Sequence, residues 1–159
     1  MVGRSANQSL TRHTMWQGQY EHAIDAKGRT SFPSRFREGI ASDAGFVLTA
    51  SLDPCLVAYP LVEWRAFEEK LSRLPRFDPA VVKLRRIYVS AAVEIAPDAQ
   101  GRVLVPPSLR AHAALEKDVL WAGMGRWAEL WSRERWARAI ETSDHERAAL
   151  AQKLSELGL

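Results

Sequence analysis

The sequence predicts an α+β protein, mostly β, made of two copies of one small unit with flanking helices. Two observations carry that expectation. Residues 25–37 read DAKGRTSFPSRFR and residues 98–110 read DAQGRVLVPPSLR. Aligning residues 20–37 with 93–110 pairs Glu21 with Glu94, Ala23 with Ala96, Asp25 with Asp98 and Ala26 with Ala99. It also pairs Gly28 with Gly101, Arg29 with Arg102, Pro33 with Pro106 and Arg37 with Arg110, eight identities in eighteen. After a shift of one residue the match resumes. Residues 46–64 lie on 118–136, with Val47 on Val119, Leu48 on Leu120 and Trp64 on Trp136. A unit of about 45 residues buries too little surface to be secure alone. The two copies are therefore expected to share one core, within the chain or with another subunit.

The elements follow in order. WQGQYEHAI (16–24) reads as a strand, DAKG as a turn and RTSFP (29–33) as a second strand. PSRFREGIA (33–41) reads as a short helix, because proline is tolerated in a first turn whose N–H groups lack helical partners. FVLTAS and CLVAYP are β-branched and apolar runs about an LDP turn, hence two more strands. LVEWRAFEEKLSRL (61–74) repeats apolar residues at Leu61, Trp64, Phe67, Leu71 and Leu74, a helical spacing. DPAVVKLRRIYVSAA (78–92) opens on Asp-Pro, a helix start. The second unit closes in a helix from about Ser132, and HERAALAQKLSELGL (145–159) is helix-prone. Residues 1–14 lack periodicity and are expected to be disordered, with Met15 as a candidate alternative start. The predicted organisation is a first repeat over 15–66, a helical connector over 67–91, a second repeat over 92–138 and a helical tail over 139–159.

The composition narrows the function. The chain has 159 residues, 47% apolar and 26% charged, with a net charge of +3. No apolar run approaches the roughly 18 residues of a membrane helix, and the start has no secretory h-region. One cysteine, Cys55, excludes an internal disulfide and a clustered cysteine metal site. A cytoplasmic location is the default. Of 22 basic residues 17 are arginine, whose planar fork suits phosphate oxygens and guanine edges; surface salt bridges account for most of them.

The turn itself needs no arginine. Asp accepts local backbone N–H bonds and Gly supplies positive φ, yet an arginine follows the glycine in both copies. It can pair with the Asp four residues earlier, and that carboxylate can in turn hold the guanidinium ready for a phosphate or a base edge. Near the first turn Lys27, Arg35 and Arg37 add charge, and Thr30 and Ser31 add hydroxyls. The second copy has Gln100, Val103 and Leu104 at the positions of Lys27, Thr30 and Ser31. The first hairpin is thus expected to be the better anion surface.

These residues carry a resemblance. The two DxxGR hairpins, the P-S-R-F-R helix start, D-P-C-L-V-A-Y-P-L-V-E-W, E-L-W-S-R-E-R-W and the opening M-W-Q-G-Q-Y-E-H-A-I-D resemble the MraZ family of bacterial transcriptional regulators. The likeness runs from Met15 to about residue 138. It implies two SpoVT/AbrB-like swapped-hairpin repeats forming a small β-barrel. It also implies a regulator, usually a repressor, of its own division and cell-wall gene cluster, bound to short promoter repeats in double-stranded DNA and nucleoid-associated. The DxxxR hairpins would make the DNA surface: Asp25, Lys27 and Arg29 in the first copy, Asp98 and Arg102 in the second. Rings of several subunits are implied, which six tryptophans in a small chain support weakly.

Other sites are poor. His13, His22, His112 and His145 show no metal-ligand spacing, and no nucleophile elbow, Walker loop or dinucleotide fingerprint occurs. Glu21 and Glu94 recur as strand-flank surface residues. Lys83, Arg85 and Arg86 read as a solvated helix face. No catalytic residue, metal, cofactor or small-molecule substrate is expected. Two function classes remain: a DNA-binding regulator, and an AbrB-type antitoxin or interaction module whose tail helix grips a partner protein. The doubled unit favours the first.

Overall fold

The computed structural model describes residues 15–40 and 45–159. The disorder expected of residues 1–14, and the end of the first short helix at position 41, lie outside the described residues. In chain order the elements are β1 (Trp16–Ala23), β2 (Arg29–Ser31), α1 (Ser34–Arg37), β3 (Phe46–Ala50), β4 (Leu56–Pro60) and α2 (Leu61–Ser72). Then come α3 (Pro79–Leu84), which runs on into a π-helical turn at Arg85–Val89, β5 (Val93–Ile95), β6 (Arg102–Leu104) and α4 (Pro107–Ala113). The chain continues with β7 (Asp118–Gly125), β8 (Ala128–Ser132), α5 (Arg133–Ile140) and α6 (Asp144–Glu156). Every strand expected in the first repeat forms. Expected helix 78–92 begins as foreseen, with Asp78 accepting the Ala80 N–H at 2.8 Å ahead of Pro79, but its second half is π-helical.

The repeats exchange their opening strands. β1 of the first repeat pairs antiparallel with β7 of the second, from Trp16 opposite Gly125 to Ala23 opposite Asp118. β5 of the second pairs with β3 of the first, Phe46 opposite Ile95. One six-stranded sheet results, in the order β1-β7-β8-β4-β3-β5. The chain then turns out of this sheet after β1 and after β5. β2 and β6 leave it and pair with each other in a two-stranded ribbon, Arg29 opposite Leu104, Thr30 opposite Val103 and Ser31 opposite Arg102. The fold is therefore mostly sheet with two repeated units and flanking helices. The six-stranded sheet is open, with β1 and β5 at its edges, so these ladders do not close the expected barrel: the strands that follow β1 and β5 pair in the ribbon instead.

One core serves both repeats, within the chain. Trp16, Phe32, Phe36, Phe46 and Leu48 come from the first, and Val103, Val105, Leu109, Val119, Trp121 and Leu130 from the second. Phe32 stacks on Phe46 at 4.5 Å and meets the edge of Trp121 at 5.2 Å. Burying each such ring contributes about 1.5–3 kcal/mol. A buried indole N–H needs an acceptor, and both central tryptophans find one that positions the site. Trp121 donates to the Ser31 carbonyl at 3.0 Å and ties the ribbon to β7, while Trp16 donates to the Phe36 carbonyl at 3.2 Å and ties α1 to β1. Trp64 and Trp131 are also buried. Four of the six tryptophans are thus core residues, which removes most of the weight the tryptophan count lent to self-association.

Among the described residues no helix is long and apolar enough to cross a membrane. α6 is capped by Ser143, which accepts the Glu146 N–H at 3.1 Å, and buries none of its residues.

Candidate nucleic-acid interface

Each end of the β2–β6 ribbon carries an Asp–Arg turn. In the first, Asp25 N–H donates to the Arg29 carbonyl at 3.0 Å and Gly28 N–H to the Asp25 carbonyl at 3.0 Å. The three loop residues between them end on Gly28 at φ 91°, a left-handed position that glycine fills without strain. The Asp25 carboxylate organises the tip. Its Oδ1 accepts the N–H groups of Lys27 and Arg29 at 3.0 and 2.9 Å, and its Oδ2 accepts Arg29 Nε–H at 2.7 Å. The second turn repeats this. Asp98 Oδ1 accepts the Gln100 and Arg102 N–H groups, both at 2.9 Å, and Oδ2 accepts Arg102 Nε–H at 3.3 Å. Gly101 sits at φ 75°.

The carboxylate thus engages Nε of each arginine. The terminal nitrogens of a guanidinium held this way point onward in the fork geometry that matches a phosphate or a guanine edge. The arginine side chains are 40% and 38% exposed, so they are within reach of a ligand. Backbone N–H donation from Arg29 and from Arg102 holds the Asp25 and Asp98 carboxyls below their ordinary value, opposed by partial desolvation. Because the folded-state value is lowered, the turn bonds are fully formed above the ordinary aspartate value. They are lost as pH falls through the lowered one. NMR titration of both carboxyls is expected to give midpoints below free aspartate, and ordinary midpoints would mean that the carboxylates do not cap the turns.

Strand alternation sorts the ribbon side chains. Thr30, 2% exposed, and Val103, 1% exposed, face the core. Arg29, Ser31, Arg102 and Leu104 lie on the outward face, Leu104 at 57% exposure. With two residues of offset and neighbouring strands about 4.8 Å apart, Arg29 and Arg102 have Cα atoms about 8 Å apart.

The structure brings Asp25, Lys27, Arg29, Asp98 and Arg102 to the two tips and separates the other candidates. Thr30 is not on the outward face: it is buried, and its hydroxyl donates to the Ala23 carbonyl at 2.9 Å. Its difference from Val103 therefore does not distinguish the two hairpins. Arg35 is exposed on α1 and borders a groove with Gln17 and Tyr20 of β1. Arg37 does not join its own repeat's turn; its guanidinium lies over Gly101 of the other. Arg110, the counterpart of Arg37 in the second repeat, reaches the first turn, donating Nη1–H to the Ala26 carbonyl at 3.3 Å. The repeat alignment marked Arg37 and Arg110 as equivalent, but strand exchange, which decides where they land, leaves no local signal.

Elsewhere, Arg85 turns inward and donates to the Leu71 carbonyl at 3.3 Å, so the Lys83–Arg86 cluster is not a uniform solvated face. Glu21 pairs with Arg133 at 3.4 Å on the surface. Burial pushes the Cys55 thiol up to about 12, which leaves it un-ionised at neutral pH. Among the described residues no group of His, Cys, Asp and Glu is placed to hold a metal.

Comparison with known proteins bears on these turns. A family model described as "MraZ protein, putative antitoxin-like" matches the chain twice, over residues 15–87 and 88–156. The protein named transcriptional regulator MraZ of Heliobacterium modesticaldum is 46% identical over 145 residues, which span 91% of this chain and 100% of that protein. Proteins of the same name from Clostridium acetobutylicum and Acetivibrio thermocellus are 42% and 41% identical over the same shares.

Proposed function

The chain belongs to the MraZ family, and from that premise we propose that it is a transcriptional regulator that binds double-stranded DNA through its two Asp–Arg turns. The observation that carries this reading is the placement of both turns at the two ends of one outward-facing β-ribbon. A two-stranded ribbon fits the major groove, about 12 Å wide, and arginine there reads guanine O6 and N7. The Cα separation of about 8 Å lets Arg29 and Arg102 enter the same groove. Lys27 at the first tip and the exposed Arg35 add backbone contacts that position without specifying. Repression of its own division and cell-wall gene cluster, from short promoter repeats, is the regulatory role this binding would serve, in the cytoplasm and on the nucleoid. Residues 15–66 and 92–138 then act as the two DNA-binding repeats, joined by 67–91 and followed by the tail 139–159.

Fluorescence anisotropy on the DNA upstream of the chain's own gene, with and without competitor, tests the reading. Affinity is expected to fall with salt at a log–log slope near −0.9 per phosphate contact. A flat salt response on specific DNA would remove its electrostatic basis. The open edges of β1 and β5 favour self-association, since an unpaired edge is a template for another chain. We expect one defined ring-like homo-oligomer. Light scattering that finds only monomer at micromolar concentration would rule it out.

A second reading has one observation in its favour. Leu150, Leu154, Leu157 and Leu159 of the tail are exposed, as they would be on a helix that grips a partner protein in an antitoxin or interaction module. Partner capture that persists in a chain unable to bind any DNA would favour it.

A further inference from the structure

Arg37, the last residue of α1, and its repeat counterpart Arg110, midway along α4, each lie against the turn of the opposite repeat. Arg110 donates Nε–H to the Val105 carbonyl at 3.1 Å and Nη1–H to the Ala26 carbonyl at 3.3 Å. Its guanidinium covers Gly28 so closely that a Cβ there would come within 2.7 Å of Nε. Arg37 covers Gly101 by close contact: its Nη1, Cζ and Nη2 are the atoms a Cβ at Gly101 would meet first. Both glycines are buried although Ala26, Lys27, Ala99 and Gln100 beside them are exposed. The backbone is crossed too. Val105 N–H donates to the Gly28 carbonyl at 2.8 Å, and Phe32 N–H to the Gly101 carbonyl at 2.9 Å.

We propose that Arg37 and Arg110 are crossed positioning residues: Arg110 of the second repeat holds the Asp25–Arg29 turn of the first, and Arg37 of the first holds the Asp98–Arg102 turn of the second. The physical reason is the shape of the pieces. A turn tip exposes carbonyl oxygens that nothing in its own hairpin can satisfy. A planar guanidinium with five N–H donors can bridge such a carbonyl to the flanking strand while lying flat on the backbone. It can lie that close only where the residue beneath has no side chain. Glycine at each turn therefore has two causes, a left-handed φ and the arginine above it. Lysine, a point charge on a flexible stem, cannot bridge two carbonyls in this way.

The role given to the held turns rests on the DNA-binding reading above; the holding itself does not, and the test separates them. In the DNA-free protein, amide hydrogen exchange is measured at Lys27, Gly28 and Arg29 and at Gln100, Gly101 and Arg102. Loss of two hydrogen bonds in Arg110→Ala is expected to speed exchange at the first set about tenfold and leave the second set unchanged. Arg37→Ala, which removes no such pair of bonds but uncovers Gly101, is expected to speed exchange at the second set by less than about tenfold and leave the first set unchanged. Arg110→Lys, which keeps charge and stem and guards against a misfolded alanine variant, should give a smaller acceleration at the same three amides. Acceleration at the variant's own turn, at both turns equally, or at neither overturns the proposal. On promoter DNA, Arg110→Ala should then weaken binding more than Arg37→Ala, because it loosens the turn that carries Lys27 and Arg29. Crossed exchange effects with DNA affinity untouched would support the positioning role and count against the DNA-binding reading alone.

Discussion

Arg29→Ala is expected to abolish sequence-specific DNA binding while leaving circular dichroism unchanged, and Arg102→Ala to weaken binding less. The fold should survive because Arg29 contributes only an exposed ion pair to Asp25, and such pairs contribute about 0–1 kcal/mol. Binding should not, because a bidentate arginine at a guanine is worth about 1–3 kcal/mol, and an oligomer that uses several chains multiplies the loss. The ranking of the two turns now rests on fewer residues than composition suggests. Thr30 and Val103 both face the core, and Arg37 and Arg110 have changed places through the strand exchange. What remains is Lys27 against Gln100 at the tips, and Ser31 against Leu104 on the outward face. The tip difference favours the first turn for a polyanion; the outward-face one does not, because the register sets Ser31 opposite Arg102 and Leu104 opposite Arg29. Anisotropy on an operator with at least two repeats decides the matter: equal losses would mean that both turns read DNA alike, and a larger loss for Arg102→Ala would invert the ranking.

Gly28→Val should be the most damaging single change to the fold of the interface, and worse than Gly101→Val. Both positions are left-handed, where a β-branched residue costs about 1–3 kcal/mol. They differ in what a side chain would meet. At Gly28 a Cβ would come within 2.6 Å of the Val105 carbonyl oxygen, which belongs to the backbone and cannot step aside. At Gly101 the nearest atoms are the end of Arg37, a flexible side chain that can swing away. Overpacking against fixed atoms adds about 1–3 kcal/mol, a large part of a typical domain's margin. Urea denaturation of the two variants tests this. An unchanged midpoint for Gly28→Val, or a larger drop for Gly101→Val, would contradict the turn geometry.

Much of this was legible in the residues. The doubled DAxGR phrase located both turns, the repeat alignment predicted one core shared by two units, and Asp78, Pro79 and Ser132 marked helix starts that the structure keeps. What was not legible depends on which copy pairs with which. The same strand pattern is satisfied by β1 lying on its own repeat or on the other, since both offer the same apolar alternation. Thr30 looked like an anion ligand because its hydroxyl is visible in sequence while its facing is set by the ribbon register. Arg37 was read as surface charge because the backbone it covers lies 64 residues further along the chain. The π-helical turn at Arg85–Val89 left no periodic trace in so short a segment.

The crossed pairing also decides the order in which the molecule can form. β1 finds its partner between Asp118 and Gly125, so the strand at the front of the described chain must wait for one near its far end. Pairings this distant in sequence are slow, because loop closure precedes any gain from them. During synthesis the first repeat emerges with β1 unpaired and β3 lacking β5 on one side. The sheet completes only once the second repeat has cleared the ribosome, and until then exposed strand edges are open to other chains.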